Sequence, residues 1–287
     1  MTNNDVLLFF QKKLEEKKLN QNLSHLFLFL LTKVTNYSDI FLILNKKINF
    51  SEHKAKKLIK SYCEKNIPYQ YFFCKCFFLD KTFYIKKKVF VPRPETEQLV
   101  VIVKKFLTYY PFFKAYPLID LCSGTGVIGV SLANFFEEIF FVEKSFVARK
   151  CIKKNIKHLK NKKIKIFCNA FKFKKKITFL VSNPPYLKKN EDICNFSKNE
   201  PKNAFFYKSH ENDFIIDFLE YATKNNLLNK KYFLIFEINF HNLEMFLKKL
   251  KNIDLKFYLI KDLENKTRFL IITSLNILPT ILNQISF

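Results

Sequence analysis

All three glycines of this chain fall within six consecutive positions, at Gly124, Gly126 and Gly129. A chain of 287 residues with average composition contains about twenty glycines. Lysine greatly outnumbers arginine, and 36 residues are phenylalanine, a pattern that we attribute to AT-rich codons. Such a bias replaces glycine wherever another residue fits. Glycine is retained where φ is positive or where the backbone approaches another group closely, so these three positions mark a functional loop.

The segments on either side of this loop indicate what it does. Residues 116–120 are an apolar run typical of a buried strand, and residues 127–136 have the pattern of a helix. A strand, a glycine turn and a helix direct backbone N–H groups at a ligand. The three glycines fit the GxGxxG pattern of enzymes that bind nicotinamide or flavin dinucleotides. The stretch from Asp120 to Gly126 also fits the D-x-x-x-G-x-G pattern of enzymes that bind S-adenosylmethionine. The glycines alone leave both alternatives open.

Strand patterns alternate with helical patterns over the rest of the chain. This alternation predicts an α/β fold, a Rossmann-like parallel sheet with helices on both faces. Ligands of such sheets bind beyond the carboxyl ends of the strands. Polar residues stand at four predicted strand ends, and we expect them to converge on one edge of the sheet: Asp120, Glu143, Asn169 and Asn183.

The chain is predicted to have three segments. Residues 1–66 carry apolar residues at helical spacing and are expected to form a small helical bundle. Residues 67–91 have the β-rich pattern of a linking hairpin. Residues 92–287 form the sheet domain, which opens with a helix at Pro94. Residues 269–287 are uncharged, and we expect a final strand and a tail there rather than a membrane anchor.

The net charge and the cysteine content indicate which partners and which cellular compartment to expect. The formal net charge of +25 favours an anionic partner such as RNA or the ribosome, although AT-rich codons produce lysine without such a partner. The seven cysteines form no CxxC pair, and no signal sequence is apparent. Both features predict reduced thiols in the cytoplasm. The five histidines are scattered, which argues against a zinc site.

Four motifs give the chain a family resemblance. VPRPETE at 91–97, the glycine loop and VSNPPY at 181–186 occur in that order, and KDLENKTR follows at 261–268. Together they resemble the HemK family of protein-glutamine methyltransferases, whose main members methylate the glutamine of the GGQ motif in peptide-chain release factors. The resemblance implies a class I methyltransferase fold, S-adenosyl-L-methionine as cofactor and a release factor as protein substrate. We expect the enzyme to act as a monomer.

The resemblance also assigns roles to individual residues. Glu143 matches the acid that binds the ribose hydroxyls, and Asn169 and Ala170 match the pair beside the adenine. Asp120 would lie near the methionine part of the cofactor. Two larger groups of residues form the loop around the methionine part and the site that holds the acceptor amide. The loop consists of Cys122, Ser123, Gly124, Thr125 and Gly126, and the amide site of Asn183, Pro184, Pro185 and Tyr186, with Asn183 also bordering the cofactor.

Several positions depart from the family pattern. Cys122 replaces a usual glycine, Glu143 replaces a shorter aspartate, and Asn169 is neutral where an acid is usual. Ala170 stands where an aromatic residue or leucine is common. One of two nearby aromatic residues, Phe171 or Phe173, would therefore cover the adenine.

Other functions remain open at the level of the sequence. A ribosomal protein could supply the glutamine instead of a release factor. NPPY is shared with adenine and cytosine amino-methyltransferases, so a nucleic-acid substrate is a further alternative. The third alternative is a protein that binds partners and has no enzymatic activity. For the enzyme, we predict that residues 1–66 dock the body of the acceptor protein.

Overall fold

The computed structural model of the protein describes residues 65–186, 197–207, 213–238 and 243–286. The chain divides into two compact units, Met1–Phe73 with Cys194–Asn199, and Cys74–Ile193 with Glu200–Phe287. The helical bundle expected over residues 1–66 lies almost wholly outside the described residues. The predicted boundaries at residues 66 and 91 therefore stay predictions.

The described part of the first unit is small. It contains the short helix α1 (Tyr69–Phe73) and a 3₁₀ turn over Ser197–Asn199. The Asn199 amide donates to the carbonyl oxygens of Lys65 and Asn66, at 2.8 and 3.0 Å. These bonds hold the two described pieces of the unit together.

The second unit holds all of the described strands. They are β1 (Lys75–Phe78), β2 (Lys81–Tyr84), β3 (Leu118–Leu121), β4 (Glu138–Val142), β5 (Lys163–Phe167), β6 (Ile177–Ser182), β7 (Leu228–Glu237), β8 (Phe257–Lys261) and β9 (Thr267–Thr273). Its helices are α2 (Pro94–Tyr109), α3 (Val127–Leu132), α4 (Phe146–Asn155), α5 (Lys202–Phe205), α6 (Phe214–Lys224), α7 (Leu243–Lys251) and α8 (Pro279–Ile285), with 3₁₀ turns at Pro111–Ala115, Ala133–Phe135 and Ala170–Lys172.

Seven of these strands form one sheet, in the order β5-β4-β3-β6-β7-β9-β8. Strands β3 to β7 are parallel, and β9 runs antiparallel between β7 and β8. The order reverses at β3, so the loops after β3 and β6 open on a crevice at the carboxyl edge. The predicted class I methyltransferase fold is confirmed.

Helices cover both faces of the sheet. On one face, buried side chains of β3, β4, β6 and β7 share a core cluster with α6 and α7. On the other face, α2 packs through phenylalanine, with the Phe106 ring 3.7 Å from the ring of Phe233 and the Phe179 ring 5.2 Å from that same ring. Because helices cover both faces, all six residues of β6 are buried, including the polar Thr178 and Ser182.

The predicted hairpin is formed by β1 and β2. Two side chains of the sheet domain hold it: Glu97 accepts the Leu79 N–H at 2.7 Å, and Asn155 both accepts the Tyr84 N–H at 2.7 Å and donates to the Tyr84 carbonyl at 3.0 Å. The hairpin therefore clusters with the sheet domain.

The end of the chain differs from the expectation of a strand and a tail. After β9, residues 279–285 form helix α8, which begins at Pro279, where proline fits the first helical position. Ile285 is fully buried, and Lys105 of α2 donates to the Ser286 carbonyl at 2.8 Å. These two contacts dock α8 against the sheet domain. Among the described helices, none has the length and apolar character needed to cross a membrane.

Candidate active site

The loop between β3 and α3 is fixed by its own hydrogen bonds. The Ser123 hydroxyl donates to the Asp120 carbonyl at 2.6 Å and accepts the Val142 N–H at 3.0 Å. The Cys122 N–H donates to the Val142 carbonyl at 2.9 Å, and the Gly126 N–H to the Ser123 carbonyl at 2.7 Å. The loop is thereby tied to the ends of both β3 and β4.

The three glycines are required for three different reasons. Gly124 has φ +55° and open space where a Cβ would lie. Gly126 has φ +82° just before α3, and a Cβ there would lie 3.2 Å from the Phe141 ring. Gly129 lies inside α3, and its Cβ would come within 2.6 Å of that ring and 2.9 Å of an Asp120 carboxylate oxygen. Thus Gly129 permits close packing, Gly126 combines a turn with close packing, and Gly124 faces free space.

Cys122 adopts the same left-handed backbone region, with φ +60°. A residue with a Cβ is strained there by about 1–2 kcal/mol. The resemblance places a glycine at this position, and the backbone has kept the conformation that a glycine favours. The local strain is a cost of the substitution.

Asp120 lies at the end of β3 but does not line the cavity described below. Its side chain is fully buried, and one carboxylate oxygen accepts the Gly129 N–H at 2.8 Å. Within the described residues, the other oxygen has no hydrogen-bond partner. Burial, aided by the nearby Glu143 charge and opposed by the Gly129 hydrogen bond, raises the Asp120 pKa to about 8. The hydrogen bond from Gly129 to Asp120 fastens α3 to β3.

Glu143 follows β4 and binds the loop directly. Its two carboxylate oxygens accept the N–H groups of Gly124 at 2.8 Å and of Ser145 at 2.6 Å. Arg149 donates to the Glu143 backbone carbonyl at 2.8 Å. Burial raises the pKa of the carboxyl, and the two N–H bonds and the Arg149 charge oppose this effect. Glu143 also lines the cavity, so it can offer its remaining lone pairs to hydroxyl groups there.

The two candidate aromatic residues after β5 lie in different places. Asn169 caps its own turn, because its side-chain oxygen accepts the Phe171 N–H at 2.9 Å. Phe171 lines the cavity with Asn169 and Ala170. Phe173 is buried in the core, 5.1 Å from the Phe167 ring. Only Phe171 of this pair is placed to cover a ligand ring.

Asn183 lies directly after β6 and belongs to a chain of three side chains. Its Nδ2 donates to the Thr96 hydroxyl oxygen at 2.9 Å. The Thr96 hydroxyl in turn donates to a Glu237 carboxylate oxygen at 2.7 Å. Within the described residues, no hydrogen bond occupies Asn183 Oδ1. Burial raises the Glu237 pKa to about 7.

Most of the predicted site residues surround one cavity of about 580 Å³. Of the predicted residues, Asp120, Gly126 and Pro184 do not reach its wall. The cavity wall also includes residues that were not predicted, before α2 and around α5. The predicted residues on the wall are Cys122, Ser123, Gly124, Thr125, Glu143, Asn169, Ala170, Asn183, Pro185 and Tyr186, and the further ones include Phe90, Pro92, Thr96, Phe171, Phe205, Phe206, Tyr207 and Phe214.

Thr96 and Glu237 were not singled out from the sequence as site residues. Glu237 ends β7, so the rule that picked out polar residues at strand ends would also have found it. Thr96 lies within VPRPETE, but nothing in that motif indicates a partner 87 positions away. The spacing of residues along the sequence does not predict a contact between such distant positions.

A buried ion pair joins two parts of the cavity wall. Glu200 is 5% exposed and accepts the Val91 N–H at 2.8 Å and an Arg93 guanidinium N–H at 2.5 Å. Arg93 also lies over the Phe90 ring, 4.7 Å from its centre. This pair connects the residues before α2 to those before α5. In the described residues, no cluster of histidine, cysteine or acidic side chains could hold a metal ion.

Comparison with known proteins identifies related sequences. Residues 101–200 match the family model described as "Methyltransferase small domain". The chain is 31% identical to a release factor glutamine methyltransferase from Clostridium acetobutylicum, over 56% of this chain and 59% of the relative. It is 36% identical to one from Borreliella burgdorferi over 49% and 50%, and 29% identical to one from Bacillus cereus over 69% and 73%. The chain thus spans half to three-fifths of the length of the first two relatives.

Solved structures resemble the chain more distantly. A ribosomal protein L11 methylase from Lactobacillus delbrueckii is 12% identical, with a TM-score of 0.43 over 64% of this chain and 79% of that one. A tRNA m1G37 methyltransferase from M. jannaschii is 13% identical, with a TM-score of 0.47 over 69% and 53%. Similarity at this level carries no information about substrate. On the sequence matches and the motifs together, the chain resembles the S-adenosyl-L-methionine-dependent methyltransferases of the HemK family, and its sheet order is that of a class I methyltransferase.

Proposed function

We propose that the protein methylates the side-chain amide nitrogen of a glutamine, that of the GGQ motif in peptide-chain release factors, with S-adenosyl-L-methionine as methyl donor. The position of Asn183 carries this proposal. Its NH₂ group is engaged by Thr96 at 2.9 Å, whereas among the described residues nothing occupies its carbonyl oxygen, which can accept a hydrogen bond at the cavity wall. An acceptor amide has two N–H groups, and it needs such an acceptor to fix its orientation.

The cavity residues suit the cofactor. Open space beside Gly124 allows a ligand to approach the backbone. The hydroxyl oxygen of Thr125 is buried without a partner within the described residues, which is the state expected of a group that a ligand completes. Glu143 supplies acceptors for ribose hydroxyls, and Phe171 supplies an apolar ring for adenine. Asp120 acts from behind the wall, by fastening Gly129.

The acceptor amide would lie between Asn183 and Tyr186. Prolines at 184 and 185 fix the backbone between these two residues, and Pro185 lines the cavity with them. Tyr186 offers a flat face to the planar amide. Burial raises the Tyr186 pKa above its ordinary value, so the phenol stays neutral and the face stays apolar.

These groups act mainly by orientation. An amide nitrogen is a poor nucleophile, since its lone pair is delocalised into the carbonyl. The cofactor supplies an activated methyl group on a sulfonium. Holding the nitrogen in line with that group can contribute up to about 7–11 kcal/mol. Asn183 would also stabilise the positive charge that grows on the nitrogen, and the nitrogen gives up one proton to water when it takes the methyl group.

The names of the relatives support a release factor as the acceptor. A release factor presents its glutamine on an exposed loop, so the pocket grips only a few residues. Residues 1–66, which lie outside the described part except for its last two positions, are therefore proposed to dock the body of the acceptor. A cytoplasmic monomer is the proposed working form.

Methyl transfer to competing acceptors tests this proposal. The purified protein is incubated with methyl-labelled cofactor and, separately, with a release factor, with ribosomes or with DNA. We expect label in the release factor, with no label when Asn183→Ala replaces the natural protein. Label in a ribosomal protein would move the substrate to that class, and label only in nucleic acid would overturn the glutamine assignment.

A further inference from the structure

Glu237 is a buried carboxylate that the proposed chemistry does not use. It ends β7, is 1% exposed and does not line the cavity. Its hydrogen bond from Thr96 is 2.7 Å long, and Thr96 in turn receives the Asn183 amide at 2.9 Å. Burying a carboxylate is energetically unfavourable, so the burial of Glu237 lowers the stability of the fold.

The chemistry of a hydroxyl gives this chain of side chains a direction. A threonine hydroxyl has one hydrogen and two acceptor lone pairs. An ionised carboxylate can only accept, so it takes the hydroxyl hydrogen of Thr96. The Thr96 oxygen is then left only with lone pairs, and it must receive an N–H from Asn183. The NH₂ group of that amide is thereby held at Thr96.

We propose that Glu237 is a positioning residue that, through Thr96, holds the Asn183 amide with its carbonyl oxygen, and not its NH₂ group, presented to the acceptor. This inference rests on the proposed function and deepens it. The two ends of an asparagine amide have the same shape but opposite hydrogen-bonding character. A reversed amide would offer N–H to an acceptor that itself offers N–H.

The surroundings of Glu237 make its ionised form accessible. Arg268 and Arg93 stabilise its negative charge, and Glu95 opposes it. Tyr186 also faces it. A protonated Glu237 could donate to Thr96, whose hydroxyl would then be free to donate to Asn183 Oδ1. Loss of the charge therefore permits the reversed amide.

The pH dependence has a definite sign. Burial raises the Glu237 pKa to about 7, so the carboxylate is ionised above about pH 7 and is lost as the pH falls through that value. Methyl transfer by the natural protein should fall with it. In Glu237→Gln this limb should be absent, at a lower overall rate. Asp120, which also titrates near this range, is common to both proteins and does not affect the difference between them.

Two substitutions of Thr96 isolate the hydroxyl. Thr96→Val keeps the shape and removes the donor, whereas Thr96→Ser keeps the donor. We expect Thr96→Val to lower kcat by about tenfold or more, since misplaced reacting groups lose rates on this scale. The dissociation constant for S-adenosyl-L-methionine should stay within about twofold, and Thr96→Ser should restore most of kcat.

Thr108→Val is the matched control. Thr108 lies on the same helix, is exposed, and its hydroxyl donates to the Lys105 carbonyl of that helix, at 2.7 Å. It should leave both constants unchanged. If natural protein transfers methyl groups and Thr96→Val is as active as Thr96→Ser, the positioning role is wrong. If Thr96→Val does not fold, Glu237→Gln decides: an unchanged pH limb overturns the role. Failure of the natural protein to methylate any glutamine would instead overturn the proposed function itself.

Discussion

Gly124 and Gly129 differ in what a side chain would meet, and this difference separates stability from ligand binding. A Cβ at Gly129 would lie 2.6 Å from the Phe141 ring and 2.9 Å from the Asp120 carboxylate. A Cβ at Gly124 would meet nothing within 4 Å. The strain at Gly124 is confined to its backbone, whereas Gly129 is enclosed by the core.

We therefore expect opposite consequences from the two alanine variants. Gly129→Ala should lower the free energy of unfolding by about 1–3 kcal/mol through overpacking. Gly124→Ala should cost only about 1–2 kcal/mol of backbone strain but should weaken cofactor binding more. Urea unfolding and calorimetric titration with S-adenosyl-L-methionine measure the two effects. Stronger loss of binding in a folded Gly129→Ala than in Gly124→Ala would contradict this division.

Glu143 is expected to contribute directly to cofactor affinity. Hydrogen bonds to a charged carboxylate are worth about 1.5–3 kcal/mol, so Glu143→Ala should raise the dissociation constant by about ten- to a hundredfold. Glu143→Gln should lie between, because its amide keeps one acceptor. Glu137→Gln is the control, since that carboxylate is exposed and pairs with Lys162. Equal affinity of Glu143→Ala and the control would remove Glu143 from the site.

Asp120 should make stability depend on pH. Its folded pKa of about 8 lies above the ordinary value, so the native state binds the proton more readily than the unfolded state does. The free energy of unfolding therefore decreases as the pH rises from about 4 to 8. Asp120→Asn keeps an acceptor for the Gly129 N–H and removes this decrease, so its advantage over the natural protein should reach about 2 kcal/mol or more at pH 8. Denaturant titrations at pH 5 and pH 8 test this, with a substitution of the exposed Glu220 to Gln as the control.

At the scale of elements, the strands could be predicted from the sequence. The ends of the helices and the connecting segments were less predictable. The apolar run at residues 116–120 was predicted to be a buried strand, and β3 lies there over Leu118–Leu121, because a short apolar run flanked by polar residues has few other structures open to it. Helix α3 ends at Leu132 and continues only as a 3₁₀ turn, which periodicity does not distinguish. The uncharged end of the chain was expected to be a tail and is helix α8, because its partner α2 is remote in sequence.

Helix α8 should contribute measurably to the stability of the sheet domain. Ile285 is fully buried, whereas Leu278 just before the helix is 60% exposed. Ile285→Ala should lower the free energy of unfolding by about 2–5 kcal/mol, and Leu278→Ala should change it by less than about 0.5 kcal/mol. Similar losses in both variants by denaturant titration would mean that α8 is not docked on α2.

At the scale of the whole molecule, the site was predictable where it follows strand ends. The wall residues after β3, β4, β5 and β6 come from a rule about parallel sheets. The wall around α5 could not be predicted, since Glu200 just before it is held by contacts with Val91 and Arg93 more than a hundred positions away. Long-range pairs of this kind leave no local pattern.

Substrate docking belongs to this scale as well. Deleting residues 1–66 should leave the dissociation constant for S-adenosyl-L-methionine nearly unchanged and raise the KM for an intact release factor. Asn183→Ala in the full chain should mainly lower kcat. Steady-state kinetics with both proteins measure this separation. A folded truncated protein that methylates intact release factor as efficiently as the full chain would reduce the N-terminal region to a stabilising appendage.

The most direct test of the central claim is to locate the transferred methyl group. A release factor is incubated with S-adenosyl-L-methionine and either the natural protein or Asn183→Ala, then digested and mapped by tandem mass spectrometry. We predict one added methyl group on the side-chain nitrogen of the GGQ glutamine with the natural protein, and none above background with Asn183→Ala. A methyl group on any other residue, or equal methylation by both proteins, would contradict the proposed function of the site.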